Sequence, residues 1–119
     1  MSQSETKEPI LEVRFYKTFT GKEPVREWLR GLDKPARIVI GEDIKTAQYG
    51  WPLGMPLIRK LQPGLWEVRS DLDNGIARVI FTVEGNLMVL LHGFIKKSQK
   101  TPATELKKAR DRLALLVKE

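Results

Sequence analysis

The chain has 119 residues and no cysteine, and its 21 Lys and Arg against 15 Asp and Glu give a formal net charge of +6. This length predicts one domain, and a hydrophobic fraction of 41% is enough for a modest core. The lack of cysteine excludes a disulfide scaffold, a thiolate nucleophile and cysteine-ligated zinc, and the single histidine excludes a multi-histidine metal site. We therefore expect neither a metal site nor a cofactor.

The first half of the chain predicts a tail, a strand and two helices. Residues 1–9 are polar and predict a flexible N-terminal tail before one domain over residues 10–119. Residues 11–16 alternate and predict a strand. Apolar residues then recur at helical spacing in two segments. The first helix opens at Pro24 with Val25, Trp28, Leu29 and Leu32; the second starts at Asp33 or Lys34 before Pro35, carries Ala36, Val39, Ile40, Ile44 and Ala47, and ends at Gly50.

The second half predicts an antiparallel meander and a last helix. Residues 51–56 form a loop rich in proline and glycine. Residues 58–61 lead through a turn into a strand over 65–71, and strands over 76–83 and 87–95 follow after short turns. Thr101 and Pro102 start the final helix, with Leu106, Ala109, Leu113 and Leu116 buried and Lys107, Lys108, Arg110 and Arg112 largely outside that stripe.

The predicted fold class is therefore α+β, in the order β-α-α-β-β-β-α. Two helices are expected on one face of the sheet, with the other face partly open. No apolar run is long enough to span a bilayer, and residues 1–8 lack the apolar core of a secretion signal. These features predict a cytoplasmic protein with no membrane partner.

The excess charge is local. Residues 96–110 contain six basic residues and one acidic residue, a balance of +5. A localised positive field favours a polyanionic partner, either a nucleic acid or an acidic protein segment. The alternative is a merely solubilising surface.

Arg78 is a lone cation on a strand otherwise suited to burial. In one interpretation it pairs structurally with Glu67 or another acid, because a buried guanidinium needs a partner. In the other, Arg69 and Arg78 project from the open face and hold a phosphate in their planar forks. The pattern alone favours the structural pair.

His92 lies late in the most apolar strand. A single histidine there is more often a satisfied core residue, and the functional alternative is a proton carrier, since its unperturbed pKa is near neutral. Phe94 followed by Lys96 and Lys97 is compatible with a surface that stacks a base and holds its phosphates.

Three runs of sequence resemble a known family. They are Lys60-Leu61-x-x-Gly64-Leu65-Trp66-Glu67-Val68-Arg69, Ile76-Ala77-Arg78-Val79-Ile80-Phe81, and Leu90-Leu91-His92-Gly93-Phe94-Ile95-Lys96-Lys97-Ser98-Gln99-Lys100-Thr101-Pro102. Over most of the chain they are similar to the phage-derived Gp49-like, or HigB-type, branch of the RelE/ParE toxin superfamily. The His-Gly-Phe-x-Lys-Lys stretch before the last helix is the most specific part.

The resemblance implies a toxin of a type II toxin–antitoxin pair, neutralised by a cognate antitoxin that we expect to be a helix-turn-helix protein. Members on the RelE/HigB side cleave mRNA on the ribosome, with the 2′-OH of the RNA as nucleophile and no metal. The ParE-like branch shares the fold and inhibits DNA gyrase, so fold alone leaves that alternative open, together with a non-catalytic RNA-binding module.

The resemblance also implies roles for particular residues. Arg78 corresponds to the sheet arginine that contacts phosphate, and Arg69 is a supporting cation. Lys96 and Lys97 correspond to basic positions that bind phosphate or donate protons, and His92 is the acid/base candidate. Further substrate contacts are expected from a last group of residues: Phe94, Lys60 and Lys100.

Overall fold

The structure, a computed structural model, describes residues 8–117 of the chain and contains, over that range, three helices and five strands. Their bounds are β1 (Glu12–Phe15), α1 (Pro24–Arg30), α2 (Lys34–Gly50), β2 (Ile58–Gln62), β3 (Leu65–Leu72), β4 (Gly75–Glu84), β5 (Leu87–Lys96) and α3 (Ala103–Val117). The predicted α+β class is confirmed. One difference is that β2 is a strand of its own, so four strands rather than three follow the two helices. Most of the predicted tail, residues 1–7, lies outside the described residues.

The five strands form one sheet in the order β1-β5-β4-β3-β2. The chain from β2 to β5 is an antiparallel meander, as the short turns predicted. Strand β1 pairs parallel with β5, with Glu12 opposite Leu87 and Phe15 opposite Leu90. Strands β3, β4 and β5 are therefore central, and β1 and β2 form the edges.

The two first helices begin where local chemistry predicts. Pro24 opens α1, where its missing N–H leaves no hydrogen bond unmade. Asp33 caps α2, since its side chain accepts a hydrogen bond of 3.0 Å from the main-chain N–H of Ala36.

The sheet has a hydrophobic core on each face. Helices α1 and α2 cover the first face, where Ile40 and Ala47 pack with Val79 and Phe81. Helix α3 covers part of the second face, where its buried stripe packs on Leu65, Ile80, Val89 and Leu91. Beyond the N-terminal end of α3, the second face carries polar residues, and the candidate site lies there.

Gly93 is explained by packing on the first face. A Cβ atom at this position would lie 2.4 Å from Cε3 of Trp28, so only glycine lets the indole of α1 rest on β5. Trp51, ambiguous from sequence, packs edge-on against Trp66 and Phe81 with ring centroids 5.2 and 5.7 Å away. Both tryptophans belong to the core that α1 and α2 cover.

Candidate functional site

The sheet register brings the sequence-predicted residues into two adjacent rows. Arg69 lies opposite Arg78, and Arg78 lies opposite Phe94. In the next row, Glu67 and His92 flank the same β4 residue from either side. Because side chains alternate along a strand, both rows project from the second face. Cations, a carboxylate and an imidazole from three strands therefore meet on one surface.

Arg78 is a buried guanidinium without a carboxylate partner among the residues that the structure describes. Its side chain is fully enclosed, at 0% exposure. Nη2 donates to the carbonyl oxygen of Ser98, while Nε and Nη1 make no hydrogen bond. Its Cζ lies 5.5 Å from the centre of the Phe94 ring. Desolvation, and next the charge of Arg69, lower the pKa of Arg78, and Glu67 opposes them in part.

The ion pair between Arg78 and Glu67, which the strand pattern favoured, is not formed. Glu67 is also 0% exposed, and both of its oxygens are occupied. Oε2 lies 2.8 Å from Nη1 of Arg69, and Oε1 accepts a 2.7 Å hydrogen bond from the Thr101 hydroxyl. Arg69 lies two residues further along the same strand and on the same face, so it pairs with the Glu67 carboxylate in place of Arg78.

A third arginine completes the group. Arg59 of β2 lies opposite Glu67 in the register, beside Arg69. We call Arg59, Arg69, Arg78 and Glu67 the arginine cluster. Three guanidinium groups against one carboxylate leave it a formal excess of +2 in a setting where Arg69 is only 8% exposed. A buried excess of positive charge is unfavourable until an anion compensates it.

An exposed segment covers the arginine cluster. Residues 97–100, here called the strap, connect β5 to Thr101 and are exposed throughout. The carbonyl of Ser98 accepts from Arg78, and the carbonyl of Gln99 accepts from Arg69 at 3.3 Å and from Arg59 at 3.4 Å. The Gln99 side-chain Oε1 accepts a further bond of 3.0 Å from Arg69. The strap therefore places oxygens on all three arginines.

His92 is held at the junction of β5 and α3. Its Nε2 donates to Oε1 of Glu105 at 2.5 Å, and its Nδ1 accepts from Nη1 of Arg112 at 3.4 Å. Burial lowers the pKa of His92, and the carboxylate of Glu105 offsets part of this effect. The neutral ring has both nitrogens engaged, so it offers no free nitrogen to a substrate in this arrangement. It stacks on Phe94 with a centroid distance of 5.7 Å.

The other predicted residues are divided between the two faces. Phe94 is 6% exposed and packs between His92 and Arg78, so its ring lies inside the fold rather than at the surface. Lys96 ends β5 and is exposed, as are Lys97 and Lys100 in the strap. Lys60 does not join them: its Nζ lies 5.7 Å from the ring centre of Trp66, which belongs to the core of the first face.

Four residues of the site were missed from the sequence: Arg59, Gln99, Glu105 and Arg112. Arg59 was not predicted at the site, because β2 was not predicted as a separate strand. Glu105 and Arg112 are seven residues apart on α3, a spacing that puts them on one side of a helix and could have signalled a joint partner. Arg112, predicted outside the buried stripe, also donates a 2.6 Å hydrogen bond to the Leu91 carbonyl. Gln99 carries no sequence signal, since its contact exists only after the strap folds back.

Comparison with known proteins identifies a family that matches most of the chain. The model of the family described as phage derived protein Gp49-like matches residues 27–114. The chain belongs to this Gp49-like family. The matched range runs from α1 into α3 and contains every residue of the site described above.

Gp49-like proteins are associated with the toxins of toxin–antitoxin pairs. Among curated proteins, none matches the chain. None of the helices in residues 8–117 is long and apolar enough to cross a membrane.

Proposed function

We propose that this Gp49-like protein is the toxin of a type II toxin–antitoxin pair in the RelE/ParE superfamily, and that it cleaves mRNA on the ribosome. The family's association with such toxins supports the first part. The chemistry of the second face supports the second part. A helix-turn-helix antitoxin would neutralise the protein.

The observation that carries this proposal is Arg78. A structural arginine in a core is expected to be paired, yet this one is buried with two unpartnered nitrogens. The arginine cluster around it has an uncompensated positive charge. A phosphodiester supplies the missing negative charge and oxygens that accept from guanidinium forks.

The proposed reaction is an internal transfer within the RNA. The 2′-oxygen attacks the adjacent phosphorus and loses its proton to a base, while the bond from phosphorus to the 5′-oxygen breaks and that oxygen gains a proton. The products are a 2′,3′-cyclic phosphate and a 5′-hydroxyl. Charge grows on the phosphoryl oxygens along this path, and Arg78 and Arg69 are the groups that stabilise it.

The lysines extend the same surface. Lys96 follows Phe94 by two residues, so alternation puts it on the second face near the arginine cluster. We assign Lys96 and Lys97 to the RNA backbone, with Lys96 as the candidate proton donor to the leaving 5′-oxygen. His92 is assigned a positioning role, because it holds Phe94 beneath Arg78 and binds α3 to the sheet.

Expression in bacteria, followed by mapping of mRNA 5′ ends, tests the function. We expect growth arrest and new 5′ ends within translated frames for the natural sequence, and neither for Arg78→Met. Arg30→Met, which makes the same change at an exposed position of α1, is the matched control and should keep both effects. Arrest with intact mRNA and damaged DNA would instead indicate a gyrase inhibitor, and absence of arrest would indicate simple binding.

A further inference from the structure

We propose that the strap occupies the phosphate site of the arginine cluster and must leave it before RNA binds, so that residues 97–100 act as a displaceable cover. This inference rests on the proposed function, because it names how the same site is controlled. It also adds Arg59 to the groups that contact the phosphate.

The strap presents oxygen atoms to the arginine cluster as a phosphate would. Three oxygens, the carbonyls of Ser98 and Gln99 and the Oε1 of Gln99, face the three guanidinium groups of Arg59, Arg69 and Arg78. They are neutral, so the formal excess of +2 in the arginine cluster persists while the strap is seated. A phosphodiester would bring a full negative charge, and it would therefore add the attraction of opposite charges to hydrogen bonds of the same kind.

The strap is attached to the domain by polar contacts alone. Its four residues are exposed, and they add no side chain to either hydrophobic core of the described chain. Apart from an internal bond between the Ser98 hydroxyl and the Lys100 carbonyl, its hydrogen bonds all come from the arginine cluster. An anion that takes over these arginine donors would therefore remove nearly everything that seats the strap.

Both ends of the strap are fixed to the domain. Lys96 closes the pairing of β5 opposite Ile76, and Thr101 is buried with its hydroxyl on Glu67. A short exposed segment between two anchors can lift without disturbing the cores. With the strap seated, Arg78 is fully enclosed, so an RNA phosphate has no route to it.

Paired substitutions at Gln99 test the cover. Gln99→Ala removes one hydrogen bond that seats the strap, and Gln99→Glu replaces it with an ion pair to Arg69. The probe is inorganic phosphate, titrated while the Nε–Hε resonances of the arginines are followed by NMR. We expect Gln99→Ala to bind phosphate about 10- to 100-fold more tightly, since the hydrogen bond that it loses has a charged guanidinium donor and is worth that factor. Gln99→Glu should bind it about tenfold more weakly or worse.

Arg59→Gln provides an independent readout: it removes one proposed phosphate contact, so it should weaken phosphate binding while the Arg78 resonance still responds to phosphate. Equal phosphate affinity in the two Gln99 variants would overturn the proposal, as would weaker binding by Gln99→Ala than by the natural protein. An Arg78 resonance that does not shift on addition of phosphate would also overturn it. The titration needs no RNA cleavage, so it separates the two proposals. If mRNA is cleaved but the two Gln99 variants bind phosphate equally, the displaceable cover is wrong and the proposed function stands. If the variants differ as expected but no mRNA is cleaved, the strap does cover an anion site and the proposed function is wrong.

Discussion

Replacing Arg78 with methionine should make the protein more stable. Methionine is similarly long and unbranched, so it fills the same space between Phe94 and the strap without a charge. The change removes two buried nitrogens that have no partner, Nε and Nη1, each costing about 1–3 kcal/mol, and loses one charged hydrogen bond to Ser98 worth about 1.5–3 kcal/mol. The net expectation is a gain of about 1–3 kcal/mol, as found when buried charges give way to packed apolar groups.

Glu67→Gln is the matched comparison, because it removes the carboxylate and leaves the arginines in place. It should lower the free energy of unfolding by about 3–5 kcal/mol, because breaking a buried ion pair leaves the Arg69 charge buried without its partner. Urea unfolding of both variants measures these changes, and in thermal melts each kcal/mol corresponds to about 4 °C for a domain of this size. A loss of more than about 1 kcal/mol in Arg78→Met would mean that Arg78 serves to hold the fold together, and it would contradict a phosphate-binding role for this residue.

Three further predictions concern other parts of the site and its support. The lowered pKa of His92 means that the unfolded chain takes up its proton more readily, so stability should fall as pH drops below about 6.5; His92→Gln should lessen this fall in pH-dependent urea titrations, and equal slopes would contradict the assignment. Gly93→Ala should cost about 1–3 kcal/mol in the same assay by pushing on Trp28, and adding Trp28→Phe should recover part of it, whereas strictly additive losses would exclude the contact. Joint replacement of Lys96 and Lys97 by glutamine should lower the slope of log binding constant for single-stranded RNA against log salt by about 0.7 per lysine, and an unchanged slope would remove them from the interface.

Local patterns predicted most of the fold. Short turns and alternation are properties of neighbouring residues, and they were enough to place the meander and the last helix. The parallel pairing of β1 with β5 is different, because its strands are far apart in sequence and their register depends on packing against the helices. The strand β2 was missed as a separate element for a related reason: its pairing with β3 contains an irregularity between Lys60 and Gln62, which blurs the alternation.

The site was predictable only where alternation is regular. Arg69 and Arg78 stand on regular strands, and their common face follows from counting. Strand β5 has a register shift near Leu91, so Leu91 and His92 both face α3, and strict alternation would have separated them. The second partner of Glu67, the Thr101 hydroxyl, could not be predicted, since that contact depends on how the chain returns after β5.

Cleavage of mRNA in purified ribosome complexes tests the central claim most directly. The natural protein is added to ribosomes with a defined codon in the decoding site, and the ends of the products are identified chemically. The account predicts a 2′,3′-cyclic phosphate upstream and a 5′-hydroxyl downstream, both absent with Arg78→Met although that variant is folded and at least as stable. Intact mRNA with the natural protein, or equal cleavage by the variant, would contradict it.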